Sequence, residues 1–72
     1  DVARALAAHG VTAVWGVPSY VLMVLRTAAD LGLRLPRLRH LLVSGEELPD
    51  AGRANLVEAA AALGAEATVR AS

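Results

Sequence analysis

The side chains that could carry acid–base or metal chemistry are few: the adjacent pair Glu46 and Glu47, and the histidines His9 and His40. General acid–base catalysis by two carboxylates needs both to face one point, whereas neighbours in a helix or strand point apart. The pair is better explained as favouring the positive end of a helix that follows it, at about 0.3–1 kcal/mol each. The histidines have no further ligand at metal-binding spacing, and the chain has no cysteine to supply a thiolate. His9 suits the negative end of a helix. Ser19, Ser44 and Ser72 lack the G-x-S-x-G elbow of a hydrolase, and neither G-x-G-x-x-G nor a Walker motif occurs. Arg34, Arg37 and Arg39 form a small basic cluster expected to be solvated, and Trp15 reads as core rather than as a ligand platform.

The elements that must position these groups follow from periodicity and breakers. Val2, Ala5 and Leu6 recur at helical spacing, with Asp1 as a candidate cap and Gly10 just past the end. Residues 11–15 form a short β-branched run closed by Gly16, which reads as a buried strand. Pro18 suits a helix first turn, and Val21, Val24, Leu25, Ala28 and Leu31 give its apolar stripe. Leu22 and Met23 widen that stripe, so this helix is expected to be covered on more than one side until Gly32 ends it. A connector with Pro36 leads to a second strand, residues 40–44, closed by Gly45. Pro49 and Asp50 open a third helix through Leu56, Val57, Ala60 and Leu63 to Gly64. Residues 67–70 make a weaker third strand.

Strands alternating with helices imply an α/β fold with parallel strands and right-handed crossovers. Parallel strands are normally covered on both faces, and three helices are too few for that. The surplus apolar surface is expected to meet the rest of a larger α/β domain. The chain's 72 residues allow one small domain, and 56% apolar composition excludes disorder. Seven arginines balance seven acids, and with two aromatics there is no footprint of a nucleic-acid binder. No apolar stretch is long enough to span a membrane. Without an initiator methionine or targeting signal, the sequence reads as an internal piece of a cytoplasmic protein.

In open parallel sheets, ligands bind outside the carboxyl ends of the strands. Three segments should therefore share one rim: residues 15–19, residues 44–47, and Ala71 with Ser72. Glycine at the first two turns admits close approach to the backbone, and each turn feeds a helix N-terminus. The plainer explanation is that Gly16 and Gly45 only make tight turns.

The sequence resembles the acyl-adenylate-forming (AMP-binding) superfamily, nearest its phenylacetate–CoA ligase-like branch. Residues 9–20, H-G-V-T-A-V-W-G-V-P-S-Y, are similar to the family's V-T, strand, V-P-S/T segment. Residues 38–49, L-R-H-L-L-V-S-G-E-E-L-P, are similar to its L-R-x-L-L-x-S/G-G-E-x-L segment. The third helix and strand then lead to where the family carries Y-G-x-T-E. The resemblance spans essentially the whole chain and implies part of the large N-terminal domain of an adenylate-forming enzyme. It implies that Gly45, Glu46 and Glu47 lie along the adenine of ATP, and that Ser44 and Gly45 border the acyl pocket together with Val17, Pro18 and Ser19. The parent reaction it implies joins a small carboxylic acid to ATP, with Mg2+, giving acyl-AMP and then usually a thioester of CoA or a carrier thiol. The family's phosphate loop, ribose-binding aspartate and catalytic lysine have no counterpart here, so these 72 residues alone are expected to be inactive. Two other readings stand beside it: a non-enzymatic α/β interaction module, and a piece of another nucleotide-binding α/β protein.

Overall fold

A computed structural model describes residues 2–45 and 47–71. The order is α1 (Val2–His9), β1 (Ala13–Gly16), α2 (Pro18–Asp30), β2 (His40–Val43), α3 (Asp50–Ala61) and β3 (Thr68–Ala71). The three strands form one parallel sheet in the order β1-β2-β3, so the expected α/β alternation is the architecture. Rows run straight across it: Val14, Leu41 and Val69 share one, and Trp15, Leu42 and Arg70 share the next. The third strand starts one residue later than the sequence pattern implied, at Thr68. The first strand also begins late, because the Val11 N–H still bonds back to the Leu6 carbonyl of α1 at 3.5 Å.

Local chemistry sets the helix limits. Pro18 lies at the start of α2, where its missing N–H costs nothing. At the other end the Leu33 N–H reaches the Ala28 carbonyl at 2.9 Å and the Gly32 N–H reaches that of Ala29 at 3.0 Å. Gly32, at φ +72°, supplies the left-handed turn that this closure needs. The connector after it is tied down at both ends. The Leu35 N–H bonds to Leu63, and both Arg39 and His40 donate to the Thr12 carbonyl.

Successive crossovers of one hand, moving one way across a sheet, put their helices on the same face. α2 and α3 accordingly pack against each other over Val14, Leu41, Val43 and Val69, and α1 packs on α2. Val21, Leu25 and Ala28 of α2 and Leu56 and Ala60 of α3 fill the space between, with Leu35, Leu38 and Leu63 closing the bottom. Several expectations about this core are corrected. Met23 on α2, Leu31 just past its end and Val57 on α3 are exposed, while Leu22 packs half-buried against the core and α2 meets α1, α3 and the sheet, so α2 is covered on more than one side without Met23. Trp15 is 78% exposed instead of core, because strand alternation sends it to the face opposite Val14.

That opposite face carries Ala13, Trp15, His40, Leu42, Thr68 and Arg70, all exposed, and no described residue covers it. One structured layer of helices is all that these elements can provide. Among the described residues no helix is long and apolar enough to cross a membrane.

Candidate functional site

The parallel register brings Gly16, Val43 and Ala71 level with one another, so the three strand ends do share a rim. Ser72 and Glu46 lie outside the described residues. Of the rim positions singled out from sequence, Val17 is the N-cap of α2 in extended backbone, Pro18 is buried, and Ser19 is exposed on the first turn. Ser44 is half-buried, and its N–H extends the ladder by one bond to the Gly16 carbonyl at 3.2 Å. Gly45 and Glu47 are exposed.

The two turns touch. A Cβ on Gly45 would lie 3.0 Å from Cγ1 of Val17, and Gly45 adopts φ +86°. The backbone thus favours glycine at 45, and a side chain there would also make Val17 give way. Gly16 differs: its φ is not in the left-handed region, and a Cβ there would meet Val21 at 3.4 Å and Tyr20 at 3.5 Å. Those are ordinary contact distances, so neither backbone nor packing demands glycine at 16.

A second grouping lies beside the first. Pro18, Ser19 and Leu22 from α2 face Glu47, Leu48 and Pro49 across a cleft of about 170 Å³, floored by Gly52 and Leu56. Ser19 and Glu47 thus belong to one cleft, as the shared rim implied, while Val17 and Gly45 form its neighbour. Leu22, Leu48, Pro49 and Gly52 were not anticipated as lining residues. The proline at 49 was the available signal, since it starts α3 directly above the rim. The cleft is smaller than the ~300–1,000 Å³ usual for a small-molecule site. A larger cleft of about 340 Å³ runs between α2 and α3, walled by Arg26, Asp30, Asn55 and Glu58, well away from the strand ends.

Charge at the rim is acidic. Asp50 occupies the first turn of α3, where the helix dipole favours it, and Glu47 stands three residues earlier. The acid of the first turn is therefore Asp50, with Glu47 in the connector before it. Neither α2 nor α3 has a side-chain cap at its N-terminus. Arg53, one turn into α3, is committed elsewhere: its Nη1 donates to the Val69 carbonyl at 2.8 Å. Because Thr68 points its N–H inward to Arg39, the Val69 carbonyl faces the outer edge of the sheet, and Arg53 blunts that edge. Arg34, Arg37 and Arg39 are exposed as expected, and two of them lie over helix ends. Arg37 lies beside Gly10 and Arg34 over Gly64, each at the end of a helix whose carbonyls favour a cation.

Among the described residues no three His, Asp or Glu are grouped so that they could hold a metal ion.

No protein-family model and no curated protein matches the chain.

Proposed function

We propose that this chain is a segment of an ATP-dependent carboxylate-activating ligase, in which it supplies part of the wall around the adenine and the acyl group. The observation that carries this reading is the contact between the two turns whose sequences resemble the family, at Val17 and Gly45. Segments 28 residues apart in sequence meet at the carboxyl ends of a parallel sheet, where such folds bind ligands. Gly45 and Glu47 form the adenine side together with Glu46. Ser44, Val17, Pro18 and Ser19 turn toward the acyl group. A bulkier residue at 45 would strain the turn and press on Val17, displacing the two turns that wall the pocket.

The phosphates, Mg2+ and the acceptor thiol, CoA or a carrier, are handled by other parts of a cytoplasmic parent enzyme, and the remainder of the adenylation domain is the partner of this segment. The 72 residues alone are inactive. The test is carboxylate-dependent ATP–pyrophosphate exchange by the polypeptide of the native gene, across a panel of small carboxylic acids. Exchange that loses at least ~10-fold in apparent ATP affinity on Gly45→Val, with the fold retained, supports the reading. No exchange with any acid, or undiminished ATP affinity in the variant, overturns it.

A second reading, an interaction module without catalysis, is favoured by one observation: Trp15 stands 78% exposed on an uncovered sheet face.

A further inference from the structure

We infer that the cleft between the first turns of α2 and α3 receives the acyl tail of the substrate, an uncharged apolar group of about six carbons, and that Gly52 sets its depth. The inference rests on the adenylation reading and adds to it the class of substrate and the residue that gauges its length. The cleft adjoins the contact between Val17 and Gly45 and holds about 170 Å³. A cavity of about 150 Å³ lined by apolar side chains accommodates benzene, so this space matches one compact group rather than a whole substrate. The carboxyl end is then left at the neighbouring turns.

The walls select the tail. Pro18, Leu22, Leu48 and Pro49 make them apolar, and buried Leu56 lies at the floor. Among the described lining residues Glu47 is the one ionisable side chain, and none is a cation. A second carboxylate on the tail would therefore face Glu47 with nothing to pair it. An ammonium would gain little from Glu47, which is exposed, and would give up water against leucine and proline.

Nothing in the backbone demands glycine at 52. It lies in the first turn of α3, outside the left-handed region, where glycine weakens a helix relative to alanine. A Cβ there would lie 3.3 Å from Cδ1 of Leu48 and 3.5 Å from Cδ of Pro49, both walls of the cleft. The missing side chain thus leaves open the floor of the cleft, and a larger residue shortens it. Leu22 bounds the same space from α2 and is half-buried, so trimming it lengthens the space.

The test is pyrophosphate exchange by the polypeptide of the native gene with butanoate, heptanoate, cyclohexanecarboxylate and decanoate, and with the diacid and the ω-amino acid of heptanoate's length. Heptanoate or cyclohexanecarboxylate is expected to give the highest kcat/KM, with the two charged analogues at least ~10-fold lower. Gly52→Leu should raise the ratio of kcat/KM for butanoate over heptanoate by at least ~10-fold, and Gly52→Ala should move it the same way by less. Leu22→Ala should raise the ratio for decanoate over heptanoate instead. Each ratio is taken on one sample, so the fraction of folded enzyme cancels. A parent that favours decanoate or a charged analogue, or ratios unmoved by both Gly52 variants or by Leu22→Ala, would overturn this inference while leaving the adenylation reading in place. No exchange with any carboxylic acid would overturn both.

Discussion

Replacing Gly45 by alanine tests whether the two rim turns really bear on each other. Two costs combine there. A non-glycine residue held in the left-handed region loses about 1 kcal/mol or somewhat more. The new methyl would also lie 3.0 Å from Cγ1 of Val17, so Val17 must yield by a few tenths of an ångström. Val17 is 39% exposed and has room to move, which holds the second cost to about 0.5–1 kcal/mol, below that of a crowded interior. Gly32→Ala is the matched control. It has φ +72° and nothing within 4 Å of its Cβ position, so it carries the backbone cost alone. Urea unfolding followed by circular dichroism should show Gly45→Ala lowering stability more than Gly32→Ala. With a slope near ~1 kcal/mol per molar urea, the excess is about 0.5–1 M in midpoint. Val17→Ala in the Gly45→Ala background should recover most of the excess, and in the Gly32→Ala background should recover nothing. Equal midpoints for the two glycine variants, or no coupling to Val17, would refute the packing of these turns and remove the geometric support for a shared site.

Leu41 is fully buried in the central strand, so Leu41→Ala should cost about 2–5 kcal/mol, enough to unfold most of so small a domain at 37 °C. Native-like circular dichroism at that temperature would contradict a core built around Leu41. Arg53→Met keeps the aliphatic stem and loses the bond to the Val69 carbonyl; about 1 kcal/mol of stability should go with it, with amide exchange accelerated at β3 more than at β1. An exchange pattern raised evenly across the sheet would count against an edge-blunting role. On α3, Val57→Lys should stay within about 0.5 kcal/mol of the parent while its neighbour Leu56→Ala costs at least ~2 kcal/mol, read by thermal unfolding. Comparable losses at both positions would mean that α3 is rotated about its axis, with Val57 turned toward the sheet.

The elements were legible because their signals are local. Breakers and caps act within a few residues, so Pro18, Gly32 and Pro49 with Asp50 marked the ends of α2 and the start of α3. Strand against helix was decided by period and β-branching, and the parallel alternation followed from their order. The shared rim followed in turn, because parallel strands necessarily end on the same side. Boundaries slipped by one or two residues in all three strands: β1 begins at Ala13, the Val11 N–H bonding back to Leu6, β2 ends at Val43, and β3 runs Thr68–Ala71.

What the sequence by itself determined is thus the alternation of helices and strands and the line of residues along one edge of the sheet, since both rest on backbone rules read a few positions at a time. The tertiary structure alone decided which apolar residues are inside. Val57 and Leu56 are equally apolar neighbours, and Trp15 is the chain's largest side chain, but burial depends on what stands opposite: both helices crossed to one face, leaving Trp15 and Leu42 on the other. It also decided that Arg53 serves a strand edge and that a side chain at Gly45 would press on Val17, because each of those constraints comes from a residue far away in the chain.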